Sequence, residues 1–376
     1  MIGRSPPILK AIGLKPSPSP ADHPTVPSLS LKRPKKSKAV VGLEIEPSHL
    51  AAAEVEVNGK VSITRGAVSM LRPGLMRDGE VADAEELAST LRDFFDEHQL
   101  PRAVRLGVAN QRIVVRTLDL PPVEDPKDLA QAVRFQAPDH IPMPIDEAVV
   151  DFQSLGRVET ASGPKSRVVV VAVRRDMVEK LAAVTQDAGL KLVGIDLSAF
   201  AMIRALDVEM PPEEAVLYVN VGGLTNVAVA SGASCLFTRT APGGVEAFAS
   251  TLADRGSLTM EHARQWLTHV GLESPVGEVA GDPEIVDAAR TVLTEGVHHL
   301  ADAVRNSLNF YRMQEAARPV ERAVLTGPAV EVPGFADELS RQLRLPVASA
   351  VVAGGAESSA RLVVAAGLAV DQRPGG

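Results

Sequence analysis

The stretch VVGLEIEPSHLAAAEV, residues 40–55, is echoed in the second half of the chain by LYVNVGGLTNVAVAS, residues 217–231. In the first, an apolar run closes on Gly42-Leu43-Glu44-Ile45, turns through Pro47-Ser48-His49 and continues as a second apolar strand. Phosphate-binding folds use such a strand–turn–strand unit in two ways. An acidic residue orients a metal-bound water, and small residues let backbone N–H groups approach the phosphate. Here the acid is Glu44, and Glu46 stands where the turn calls for glycine. In the echo, Asn220 takes the place of the acid and Gly222-Gly223 supply the small turn. Two such units in two halves predict an α/β chain of two lobes facing each other across a cleft.

The segments around these units support that reading. Strand patterns run over 40–45, 50–57, 61–69, 104–108 and 112–118. Between them DAEELASTLRDFFDEH offers Asp83 as an N-cap and sets Leu87, Leu91 and Phe94/Phe95 on one helical face. A second mixed unit follows: helix PKDLAQAVRFQA, a strand near 149–152, the run RVVVVAV (167–173) and helix MVEKLAAVTQDAG with Gly189 as its stop. The unbroken β-branched run predicts a strand covered on both faces. In the second half, 214–244 reads as two or three strands, followed by helices at 246–254, 259–270 and 285–312. RAVLTGPAVEVPGFADELSRQL and a small-residue helix near 356–370 close the chain.

Composition narrows the function classes. Aromatics are 3% against 45% apolar residues, so the cores are built from Val, Leu, Ala and Ile, and 376 residues suffice for two or three domains. A single cysteine, Cys235, excludes a disulfide framework or a multi-cysteine metal site. No run reaches the ~18–20 apolar residues of a membrane span and no signal-peptide pattern opens the chain, which predicts a cytoplasmic protein. The net charge of −8 is uneven: residues 1–38 carry +7 and the remainder −15. Eight prolines in that tail predict an extended, disordered leader, either simply solubilising or touching anionic lipid through Lys32–Lys36. An acidic folded part and a tail without aromatics argue against nucleic acid. His262/His269 and His298-His299 lack ligand spacing with a loop acid, and Ser166, Ser198 and Ser257 lack a nucleophile elbow. Trp266 reads as a core anchor and Arg174-Arg175 as a solvated pair.

The order of motifs resembles one family. LRPGLMRDGEVAD, then VANQRIVVRTLDLPP, DLAQAVRFQAPDHIPMPIDEAVVDFQSL, VVVVAVRRDMVEKLAAVTQDAGLKLVGIDLSAFAMIRAL, LFTRTAPGGVEAFASTLADRGSLTMEHARQWL and VRNSLNFYRMQ succeed one another as in the PilM family. These are actin-like proteins of type IV pilus assembly, relatives of the division protein FtsA. The resemblance, over roughly 39–370, implies an actin-like/sugar-kinase two-lobe fold with an FtsA-type (SHS2-like) insertion in the first lobe. It sets the first lobe at 39–210 (core 39–102 and 191–210, insertion 103–190) and the second at 211–376, with a helical subdomain about 246–318.

For the site, the resemblance implies ATP and magnesium held by Gly42, Glu44, Ser48, Asn220, Gly222, Gly223, Thr225, Gly243, Gly244, Arg305 and Gly327. The departures from the family pattern converge on an eroded site: Glu46 for glycine, Pro47 lacking an N–H, Asn220 for an acid, Val245 and Phe248 for polar residues, Ala303 for the ribose acid, and Thr326-Gly327-Pro328-Ala329 for a glycine loop. The implied role is an adaptor, peripheral at the inner face of the membrane, that docks on the cytoplasmic tail of a PilN-like protein and works indirectly with PilO and the pilus motor ATPase. Two alternatives stay open: an ATP-switched protein using Glu44, and an FtsA-like division or secretion scaffold. Arg134, Ile141 and Met143 are the expected partner-groove residues, in a groove between the first-lobe core and the insertion, with Arg112 and Arg116 as further anchors.

Overall fold

The computed structural model describes residues 40–160, 162–206, 208, 211, 213–314, 317–354 and 359–370. The basic tail read at 1–38 lies outside them. Strand β1 (Val41–Ile45), buried at every position, pairs antiparallel with β2 (His49–Asn58), which continues into β3 (Lys60–Met70). After the short pair β4 (Met76–Arg77) and β5 (Glu80–Val81), α1 (Ala84–Glu97) starts at Asp83, whose side chain accepts from the Glu86 N–H as a cap should. Strand β6 (Ala103–Val108) returns parallel to β1.

The insertion follows: β7 (Val114–Leu120), α2 (Pro126–His140), β8 (Ala148–Thr160) and β9 (Gly163–Arg174) form a three-stranded sheet in the order β7-β9-β8. The β-branched run in β9 is buried throughout, as its pattern predicts, and its two faces serve different cores. Val168, Val170 and Ala172 pack under α2 with Leu129, Val133 and Ala137, whereas Val169, Val171 and Val173 join the first-lobe core. Helix α3 (Arg175–Asp187) then packs on α1 and stops where Gly189 takes φ +74°, a conformation that favours glycine. β10 (Lys191–Leu197) joins β6, and α4 (Ser198–Leu206) crosses toward the second lobe.

There β11 (Ala215–Val221), β12 (Leu224–Ser231) and β13 (Ser234–Pro242) form an antiparallel meander. Helices α5 (Val245–Gly256), α6 (Met260–Val270) and α7 (Pro283–Arg312) pack together. β14 (Val320–Thr326), α8 (Phe335–Leu343) and β15 (Val347–Ser349) complete a sheet ordered β13-β12-β11-β14-β15. Alternation in β11 divides its side chains. Ala215, Leu217, Val219 and Val221 face the core of α5–α8; Val216 and Tyr218 belong to the core shared with the first lobe. Phe248, an apolar departure from the family pattern, stacks on Phe335 with ring centroids 6.5 Å apart. Trp266 is half-buried against Gly281 rather than central.

The structure corrects three sequence-drawn boundaries. Strand β6 is part of the first-lobe sheet, and α3 packs on α1, so the inserted layer itself spans 114–174 rather than 103–190. The end of the chain leaves the second lobe: β16 (Ala353–Gly354) pairs with β3, and α9 (Val363–Ala369) packs on β1, β2 and α4. α9 is also shorter than the 356–370 read from the sequence. Its return is a matter of close packing. A Cβ on Gly42 would lie 1.8 Å from the Ala365 carbonyl oxygen, and one on Gly367 would lie 1.8 Å from that of Ala201. Small residues on both sides let backbone meet backbone there, and no periodicity announces that partner.

Candidate functional site

The two echoed turns meet. The turn after β1 is held by the Glu46 N–H donating to the His49 carbonyl (2.9 Å) and the Leu71 N–H donating to that of Ser48 (2.8 Å). It aims the Glu46 side chain at the turn between β11 and β12, where the Gly223 N–H donates to Glu46 Oε2 at 2.8 Å. A Cβ on Gly222 would stand 2.4 Å from the same oxygen, and one on Gly223 3.2 Å from Ser48 Oγ. The glycines thus admit an anion to the backbone, and the anion present is a side chain of the opposite lobe.

The surroundings are buried and charged. Glu46 is 5% exposed and His49 2% exposed. Burial pushes the Glu46 carboxyl up to about 7, opposed by the N–H groups of Gly223 and Leu224 and by Arg361, and reinforced by Glu246. Glu44, also buried, is pushed well above the usual carboxylate range by burial and by Glu46. Burial, with Arg361 and Arg264, drives His49 down to about 3, so it is neutral. Its 3.6 Å approach to Glu46 is therefore not an ion pair; Nδ1 lies 2.9 Å from Ser48 Oγ instead. Arg264 of α6 grips Glu246 of α5 through both carboxylate oxygens (2.8–3.0 Å), and Arg361 pairs with Glu331 at 2.9 Å. Beside them opens a cleft of about 610 Å³ lined by Val68, Met70, Arg264, Thr268, Glu331 and Arg361.

Other sequence-nominated residues divide. Thr225 donates to the Gly243 carbonyl at 2.8 Å, and Gly244 lies against Gly222. Asn220, the penultimate residue of β11, lies beside Gly327, which has φ +81°. These gather at the second turn with Glu46 and Ser48. Gly42 is a packing contact with α9, away from the cleft. Arg305 is tied to the Gln342 carbonyl (2.7 Å) and to Asp302 within the second lobe. Sequence reading missed Arg361, Arg264 and Glu246; no local pattern marks them.

The expected partner residues lie elsewhere than expected. Ile141 caps α2 and is 5% exposed, inside the insertion's own core, and Met143 packs against that core. Arg134 is exposed and its neighbour Phe135 is 82% exposed, but α2 sits on the face of the β9 sheet opposite the first lobe. None of the three lines a groove between first lobe and insertion. Just ahead of the insertion, a cleft of about 670 Å³ lies between the β4–β5 hairpin and the 110–112 segment, lined by Arg77, Asp78, Glu80, Asn110, Gln111 and Arg112, with Arg112 paired to Glu80 at 2.8 Å. Arg116 projects from the exposed side of β7. Among the described residues no His/Cys/Asp/Glu group has the makeup of a metal site, and no helix is long and apolar enough to cross a membrane.

Two sheets with shared helices, and paired turns facing across a cleft, define an actin-like two-lobed protein. Residues 42–365 match the family described as type IV pilus assembly protein PilM, and the chain belongs to that family. It is similar to a solved PilM-PilN type IV pilus biogenesis complex, with 27% identity and TM-score 0.72, covering 88% of this chain and 97% of that one. The fold alone is shared with the ethanolamine utilization protein EutJ from Carboxydothermus hydrogenoformans (17% identity, TM-score 0.52, 90% and 91% covered). The same holds for MreB5 of Spiroplasma citri bound to AMPPNP (13% identity, TM-score 0.52, 88% and 95% covered).

Proposed function

We propose that this protein is an adaptor of type IV pilus assembly that docks on the cytoplasmic tail of a PilN-like membrane protein and does not turn over ATP. The observation that carries the second half is the Glu46 carboxylate on the Gly223 N–H. The residues present do not fit magnesium-bound ATP. A phosphate reaching Gly222 and Gly223 meets a carboxylate already there, and like charges ~4 Å apart repel by about 4 kcal/mol at an effective dielectric near 20. Asn220 offers an amide where a metal-bound water needs an anion, and Glu44 is held toward its neutral form. Docking on PilN is supported by similarity to the solved complex. The cleft at Arg112 suits a short peptide: a few charge-assisted anchors there offset the ordering cost of about 1–2 kcal/mol per residue of backbone. Work alongside a PilO-like protein and a motor ATPase at the membrane's inner face completes this reading.

Calorimetry on the purified protein, with a phosphate-release assay beside it, tests both halves. Titration with a PilN tail peptide is expected to give saturable heat and titration with Mg-ATP none. Micromolar uptake of Mg-ATP would end the reading that the residues do not fit the nucleotide, and phosphate release above background would end the no-turnover reading.

A further inference from the structure

We infer that Glu46 is a built-in substitute for a nucleotide phosphate: its carboxylate, carried by the first lobe, occupies the backbone cradle of the second lobe and latches the two lobes together without any ligand. This rests on reading the cleft as a former nucleotide site, but not on the identity of the partner. The geometry has three parts. The turn carrying Glu46 is pinned by one backbone hydrogen bond within it, Glu46 N–H to the His49 carbonyl, and by one from Leu71 beyond β3 to the Ser48 carbonyl. The cradle leaves room for it: a Cβ on Gly222 would stand 2.4 Å from the carboxylate oxygen. Finally, the contact joins residues 177 apart in sequence and is the direct hydrogen bond between the two echoed turns.

The groups facing Glu46 are arranged around a single anion. Glu44 of β1 and Glu246 of α5 are the neighbouring acids; Arg264 of α6 holds Glu246, and Arg361, from the 3-10 turn Ser359–Leu362, is held by Glu331. His49 of β2 stays neutral. The second carboxylate oxygen, Oε1, is buried and has no hydrogen-bond partner among the described residues. One anchored oxygen and one bare one make a latch that a true phosphate, with more acceptors, could replace if Glu46 were removed. The bridge between the two turns is covalently part of one lobe.

Hydrogen exchange of the 216–226 segment in the full chain reads the latch directly. Wild-type protection is expected to be unchanged by millimolar inorganic phosphate. Glu46→Ala should exchange at least tenfold faster there, and millimolar phosphate should restore protection to that variant. Two conservative variants keep the test informative if Glu46→Ala folds poorly: Glu46→Asp retains the charge but falls one methylene short and should lose protection, whereas Glu46→Gln retains the reach and should keep most of it. Wild-type protection in both Glu46→Ala and Glu46→Asp would overturn the latch, as would failure of phosphate to protect Glu46→Ala. Hydrolysis of Mg-ATP by the wild type would end the no-turnover reading yet leave the latch standing if the nucleotide-free protein still depends on Glu46. Loss of that dependence would end the latch and leave PilN docking untouched.

Discussion

Glu46 Oε2 and the Gly223 N–H, 2.8 Å apart, connect the turn of one lobe to the equivalent turn of the other. A buried hydrogen bond of this kind contributes about 0.5–1.5 kcal/mol net. It also decides what the cleft accepts. The same N–H cannot serve a phosphate while it serves Glu46.

Reversing the two main departures should therefore restore affinity. Glu46→Gly clears the cradle and Asn220→Asp returns an anion for a metal-bound water. The double variant is expected to give saturable Mg-ATP heat in calorimetry under conditions where the wild type gives none. A double variant as silent as the wild type would count against Glu46 and Asn220 as what keeps Mg-ATP out.

The raised Glu46 pKa carries a sign. A carboxyl moved from 4.5 to about 7 on folding favours the native state fully below the unfolded value and loses that contribution as pH rises through about 7. His49 works oppositely: lowered from 6.5 to about 3, it contributes above 6.5 and loses that as pH falls toward 3. Glu46→Gln removes the first term and keeps the second. Urea unfolding at pH 5 and pH 8 should show the variant gaining on the wild type at the higher pH. A difference that does not change with pH would refute the assignment.

Gly42 should prove structural. With the Ala365 oxygen 1.8 Å from where a Cβ would sit, Gly42→Ala forces two backbone segments apart. Overpacking of this sort typically costs about 1–3 kcal/mol, and between backbones there is little to yield. The thermal midpoint should fall by several degrees; an unaltered midpoint would return Gly42 to the candidate site list.

The partner site is separable by face. Arg112→Glu is expected to weaken binding of a PilN tail peptide at least tenfold, because Arg112 lines the cleft beside the β4–β5 hairpin. Phe135→Asp, on the far side of the insertion sheet and 82% exposed, should leave both fold and affinity unchanged. Ile141→Asp should instead unfold the insertion by burying a charge, seen as lost cooperativity in circular dichroism. Loss of binding with Phe135→Asp alone would move the site to α2.

The amino-acid sequence by itself determined the elements and their grouping. Asp83 starts its helix, the 168–173 run is buried on both faces, and the two turns at Glu46 and Gly222-Gly223 recur because caps, β-branched runs and glycines act on near neighbours along the chain. It also marked Glu46 as out of place, since a charge where glycine belongs is visible without coordinates. Tertiary structure alone decided what that charge does. Whether Glu46 repels a ligand or becomes one depends on a contact between residues 177 apart, and on glycines opposite that leave room for it. Tertiary structure likewise decided that α9 returns to β1 and that α2 faces away from the first lobe, so Ile141 is core and not groove. Hydrophobic periodicity says that a face is buried; only the packed sheets say against what.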